Sequence, residues 1–150
     1  MDLTIDRNIW LRGTEDDSFL LAPETHESHP GKMCCVGIYL NACGVSKEML
    51  VRKMTAHDGV PLVKSLPKNT KWLIKPDTFT VAHDNPLQLY IASSTANLLY
   101  GANDEIYEAD NYDSDGEPID NGTPEEFEAG REARIAELFA KHDVNVTFVG

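Results

Sequence analysis

Residues that could do chemistry crowd into one short stretch. "GKMCCVGIYLNACG", residues 31–44, holds all three cysteines of the chain, Cys34, Cys35 and Cys43. Thiolates bind zinc or attack electrophiles, so their spacing is the first thing to weigh. Zinc takes four ligands at about 2.3 Å, usually presented as C-x₂₋₄-C pairs. Adjacent Cys34 and Cys35 diverge by about 100° in a helix, and Cys35 and Cys43 lie about 12 Å apart along its axis. Adding His26 and His29 gives H-x₂-H-x₄-C-C, which matches no familiar metal spacing. A nucleophilic cysteine needs a histidine base and an exposed, electropositive setting, whereas the flanks here are apolar. The spacing therefore favours cysteines acting as small hydrophobes in a packed helix.

Other candidates are sparser. Asn111, Asp113, Asp115 and Gly116 match the opening N-x-D-x-D-G of a calcium loop, yet Gly122 stands where its bidentate Glu belongs and Pro118 interrupts it. A solvated turn rich in Asp and Gly explains the same residues. Lys64, Lys68, Lys71 and Lys75 make either a basic strip or a solvated face. His57 and His83 fall in loops without a nearby partner. Asn103 and Asp104 form a polar pair that a small enzyme or ligand binder could use together with a thiol. No glycine-rich phosphate loop, G-x-S-x-G or H-E-x-x-H occurs, and no cofactor is expected.

The elements that must carry these residues follow from local pattern. "TIDRNIWLRG" predicts a short helix capped by Thr4 and ended by Gly13, with Ile5, Ile9 and Arg12 on one side. "SFLLA", 18–22, reads as a strand and 23–31 as a polar loop. Residues 33–43 have helical periodicity with Val36, Leu40 and Cys43 in line, and Gly44 offers the stop. Ser46 caps a second helix through "KEMLVRKM". Residues 57–76 read as irregular, anchored by Trp72. "DTFTVAHDNPLQLYIAS" predicts a β-hairpin, 78–82 and 87–92, its rival being a helix from Asn85–Pro86. "STANLLYGAND" is helical, and an acidic loop fills about 104–123.

"TPEEFEAGREARIAELFAKHD" is the clearest element. Thr123 is an N-cap, Pro124 takes the first helical position and Glu126 completes a capping box. Phe127, Ile135, Leu138 and Phe139 form the buried stripe, with Arg131 at the intermediate turn and Glu132 on the surface. "VNVTFV" closes the chain as an alternating strand. The expectation is one α+β domain over 1–150, a small antiparallel or mixed sheet packed by helices.

Charge is very unevenly placed. Residues 1–75 carry ten Lys+Arg against nine Asp+Glu; residues 76–150 carry three against sixteen, so the net −12 belongs to the second half. Between 104 and 128 there are eleven carboxylates and no Lys or Arg. They are Asp104, Glu105, Glu108, Asp110, Asp113, Asp115, Glu117, Asp120, Glu125, Glu126 and Glu128. Free nucleic acid is excluded as an expected partner because its phosphates call for basic groups; a basic protein surface suits this field better. No run of eighteen apolar residues suggests a membrane helix. The opening "MDLTIDRNIW" lacks a leader's apolar core, and an odd cysteine count points to a reducing cytoplasm.

"GKMCCVGIYLNACGVS" resembles the C-C-[LV]-G segment of small uncharacterised phage and bacterial proteins. "WLRG" at 10–13, Trp72, Asn103-Asp104 and "REARIAELFAKHDVNVTFV" at 131–149 extend the resemblance over most of the length. It implies a phage-type origin and carries no activity. The expected function is a non-enzymatic accessory protein of the host cell cytoplasm. It would bind a host protein through Asp104, Glu105, Glu108, Asp110, Asp113, Asp115, Glu117 and Asp120, as a nucleic-acid mimic or host-defence inhibitor might. The alternatives are a small enzyme or ligand binder using Asn103, Asp104 and a thiol, or a calcium-stabilised loop protein.

Overall fold

The computed structural model describes residues 1–12, 19–51, 60–61, 67–73, 88–89, 93–108 and 122–150. The element order is β1 (Asp2–Asp6), α1 (Cys35–Ala42), α2 (Lys47–Leu50), β2 (Val60–Pro61), a 3₁₀ segment (Lys68–Leu73), β3 (Gln88–Leu89), α3 (Ser94–Asp104), α4 (Pro124–Ala140) and β4 (Asn145–Val149). The class is α+β, with the helices dominant.

The N-terminus departs from expectation. Residues 2–6 form a strand, not a capped helix, and pair in parallel with β4, Leu3 opposite Val146 and Ile5 opposite Phe148. Leu3 and Ile5 are both buried while Asp2 and Thr4 are exposed. That two-residue alternation suits a half-buried strand, whereas a helix here would have to bury Ile9, which is exposed. The principal sheet among the described residues is thus two parallel strands, and antiparallel pairing among them is confined to Val60–Pro61 against Gln88–Leu89. "SFLLA" contributes an isolated bridge, Leu21 to Val51, instead of a strand. Of the expected hairpin, Gln88–Leu89 is paired, with β2, and the rest lies outside the described residues.

α1 is the heart of the core. Every residue from Met33 to Leu40 is buried, as expected of a helix that is apolar all round. Cys34 caps it, its Sγ accepting the Gly37 N–H at 3.4 Å. Gly44, at φ +94°, ends it: Gly44 N–H donates to Asn41 O and Val45 N–H to Leu40 O. This is the left-handed stop that glycine adopts without a Cβ penalty. Ser46 precedes α2, but its side chain makes no cap bond to the helix, and α2 is four residues long. α3 is capped by the Ser93 side chain, which accepts Ala96 N–H.

α4 has the expected capping box between Thr123 and Glu126, with Pro124 in the first turn. Ile135, Leu138 and Phe139 are buried on it, and so is Arg131, while Phe127 is half-buried. Glu132 is no idle surface residue: its carboxylate receives both Arg7 Nε (2.6 Å) and Nη2 (2.8 Å). α3 and β1 pack against α1, α4 lies against α3 and β4, and Phe139 of α4 reaches Tyr39 at 5.3 Å between centroids, with Trp72 edge-on to Phe139 at 5.8 Å.

Two helical glycines give opposite predictions. A Cβ at Gly37 would sit 1.8 Å from the Leu20 carbonyl oxygen, whereas one at Gly101 meets nothing within 4 Å. Gly37→Ala should destabilise by about 1–3 kcal/mol through overpacking. Gly101→Ala should stabilise by about 0.5–1 kcal/mol from helix propensity alone. Urea unfolding of the two variants checks the sign of each.

Candidate functional site

The polar centre of the molecule is Asn103, fully buried near the C-terminal end of α3. Its Oδ1 accepts the Trp10 indole N–H at 2.7 Å and the Cys35 backbone N–H at 3.1 Å. Its Nδ2 donates to Leu11 O at 3.0 Å and to Asp104 Oδ1 at 2.9 Å. The first turn of any helix leaves backbone N–H groups without internal partners. Asn103 satisfies one of α1's from another helix and ties down the segment after β1. Its amide is therefore committed to structure.

The cysteines are separated as their spacing implies. Cys34 and Cys35 are completely buried and Cys43 is half-buried; all three are free thiols. Burial pushes the Cys34 thiol up to about 12 and raises Cys35 well above its ordinary value, Asp104 and the neighbouring thiol adding to it. Burial raises Cys43 as well, against hydrogen bonds from Tyr39 and Asn69 that lower it. Thiols held protonated are poor nucleophiles and poor metal ligands. His26 and His29 stack on each other at 5.6 Å, and His26 Nδ1 accepts the backbone N–H of His29 and of Ser28. They serve the 23–31 turn. Among the described residues no group of three His, Cys, Asp or Glu could hold a metal ion.

Cys43 edges an aromatic cluster that the sequence does not single out. Trp72 lies face to face with His142 at 4.0 Å and an interplanar angle of 6°. Its indole N–H donates to Tyr39 Oη at 3.1 Å, and Tyr39 Oη donates to Asn69 O at 2.6 Å. Burial pushes the Tyr39 hydroxyl up to about 12. Three separated stretches of chain meet here, so no local pattern could have announced it; Trp72 alone stood out, as a large aromatic in an irregular segment. Tyr100 Oη is buried and lacks a hydrogen-bond partner among the described residues.

The acidic candidates divide. Asp104, Glu105 and Glu108 lie at the end of α3 and just beyond; Asp110, Asp113, Asp115, Glu117 and Asp120 lie outside the described residues. So do the calcium-like Asn111 and Gly116, as well as Lys64, Lys75, His57 and His83. Lys68 and Lys71 are exposed on the 3₁₀ segment. The two ends of the acidic stretch are fastened to each other. Tyr107 Oη donates to Gly122 O at 2.9 Å, and the Tyr107 ring meets Phe127 edge-on at 5.6 Å.

Arg131 reinforces that clasp. Its guanidinium donates to the Glu105 carbonyl through Nη2 and to Glu128 at 2.8 Å, and lies 5.1 Å from the Phe127 ring centroid. Burial lowers its pKa, with Glu128 opposing. Arg134 pairs with the Glu105 carboxylate at 2.8 Å, and Arg12 reaches Glu128 at 3.1 Å. The described carboxylates at 104–108 and 125–128 thus gather at one end of the α3–α4 pair. Comparison with known proteins finds no matching family model, curated protein or solved structure. The resemblance to small phage proteins rests on its motifs alone.

Two outcomes follow from the buried polar groups. Asn103→Leu leaves the Trp10 N–H, the Cys35 N–H and the Leu11 carbonyl unpaired, each costing about 1–3 kcal/mol. Unfolding free energy should drop by more than about 3 kcal/mol; a Leu variant as stable as the parent would contradict the hub.

The thiols set an alkaline limit. Unfolded cysteine titrates near the ordinary value of 9.0, folded Cys34 only near 12. In that window the unfolded state releases its proton first, so stability is constant below about 9 and falls as pH rises above it. The urea midpoint measured at rising pH should decline, less steeply in Cys34→Ala. With a thiol reagent at neutral pH, Cys43 should react in the native protein and Cys34 and Cys35 only on unfolding.

Proposed function

We propose that this chain is a non-enzymatic accessory protein that docks on a basic surface of another protein, its carboxylates standing in for nucleic-acid phosphates. In the phage-type setting that its motifs resemble, the partner is a host protein in the host cytoplasm, and a host-defence factor with a nucleic-acid cleft fits the charge. The observation that carries this reading is the clasp at the ends of the acidic stretch. Tyr107, Phe127 and Arg131 hold residues 105 and 107 beside Gly122 and the start of α4. A mimic gains from such anchoring because each charge fixed beforehand is one less to order on binding.

The same observations weigh on the alternative of a small enzyme or ligand binder. Such a site would need the Asn103 amide and a thiol open to a ligand. The amide already makes hydrogen bonds on both its oxygen and its nitrogen, and the two thiols nearest it are buried and protonated.

Changing Asp110, Asp113, Asp115 and Asp120 together to Asn separates the readings. The fold should hold, or gain slightly as like-charge repulsion falls. In pull-downs from host lysate at low and high salt, the parent should capture a partner that salt releases. The variant should capture less, through a slower on-rate and a flatter salt dependence. Capture unchanged by the four substitutions at every salt concentration would reduce the segment to a solubilising surface.

A further inference from the structure

We infer that the free edge of β4 is a self-association surface, on which a second copy of this chain adds its own β4 antiparallel to form a continuous four-stranded sheet. Two parallel strands are a small sheet, and parallel pairing is rarely left with a face in water. Here Asp2, Thr4, Asn145, Thr147 and Val149 form an exposed face.

The hydrogen bonding says which edge is open. Asn145 N–H donates to Met1 O, and Arg7 N–H to Val149 O. With the register Leu3–Val146 and Ile5–Phe148, the backbone groups of Asn145, Thr147 and Val149 face β1. Those of Val146 and Phe148 face the other way, and neither has a backbone partner among the described residues. Burial agrees. On the core side, Leu3 and Ile5 of β1 are sealed, while Val146 and Phe148 of β4 are only half-buried.

The two edges differ in protection. β1 carries Asp2 and Asp6 at its ends, and charge on an edge strand deters pairing. β4, Asn-Val-Thr-Phe-Val, has no charge, no proline and strong strand formers, and Val149 is 40% exposed. In a chain of net charge −12, it is a strip where two copies can meet without opposing carboxylates.

The register is determined by overlap. Only outward-facing residues can form the hydrogen-bonded pairs of an antiparallel ladder. Pairing Val146 with Phe148 of the second copy, and the reverse, uses both on each strand. That places Thr147 on the twofold axis in a non-hydrogen-bonded pair, Asn145 opposite Val149, and Val146 beside Phe148 on the core side. Valine–phenylalanine and threonine–threonine are favourable cross-strand pairs. The interface is isologous, so it closes at a dimer.

Thr147 points to solvent, so substituting it leaves the monomer's core untouched. Directly opposed non-hydrogen-bonded residues lie about 4.5 Å apart at Cα, within disulfide reach. Sedimentation velocity of the full chain should give a mass rising with concentration to that of a dimer. Thr147→Lys, which sets two ammonium groups face to face, should stay monomeric with an unchanged circular dichroism spectrum. In a Cys43→Ala background, Thr147→Cys should form a disulfide-linked dimer under mild oxidation, and Asn145→Cys should not, since its opposite is Val149. A concentration-independent monomer, a dimer that survives Thr147→Lys, or equal cross-linking of the two cysteine variants would overturn the inference.

Discussion

The side-chain amide of Asn103 is the constraint on which the rest depends. Four hydrogen bonds from one buried group join α3 to the start of α1, to the Trp10 ring and to the Leu11 backbone. An amide buried without partners would cost several kcal/mol; fully bonded, it specifies one arrangement of the elements around it. Helix α1 can bury its first turn on every side because the Cys35 N–H, which has no partner within the helix, is met from outside. The close seating that follows explains Gly37, whose missing side chain lets α1 lie against the Leu20 carbonyl.

Charge is organised around α4. All three basic residues of the second half, Arg131, Arg134 and Lys141, lie on it or at its end, and each is paired with a carboxylate. Arg7 and Arg12 cross from the first half to Glu132 and Glu128. Part of the acidic excess is thereby spent inside the fold, binding the N-terminal segment to α4. Exposed pairs of this kind contribute little stability. The Arg131 clasp differs because the guanidinium is buried and bonded to a backbone carbonyl, so it fixes where the acidic stretch begins and ends.

The first ten residues are instructive because a helical reading of them is locally sound. Thr4 is a good cap, Gly13 a good stop, and Ile5 and Ile9 are four apart. β4, almost the full length of the chain away, decides otherwise by offering a ladder that buries Leu3 and Ile5 together. Propensity differences of a few tenths of a kcal/mol per residue cannot compete with burying two large aliphatic side chains, worth about 1.5–3 kcal/mol each. Ile9 is left in solvent as a consequence.

Sequence alone determines what is local here. The capping box at Thr123–Glu126, the glycine stop at Gly44, the apolar run around Cys34 and Cys35 and the lopsided charge are all written within a few residues of where they act. From them follow α1, α3, α4, the inert character of the two buried thiols and the acidic end of the molecule. Tertiary structure alone decides the pairings between distant stretches: β1 with β4, Asn103 with Trp10, Trp72 with His142, Arg131 with Glu105. Periodicity states that a residue will be buried, never against what. The choice of partner is set by which segments can close their hydrogen bonds and fill space together, a condition on the whole chain that no single stretch contains.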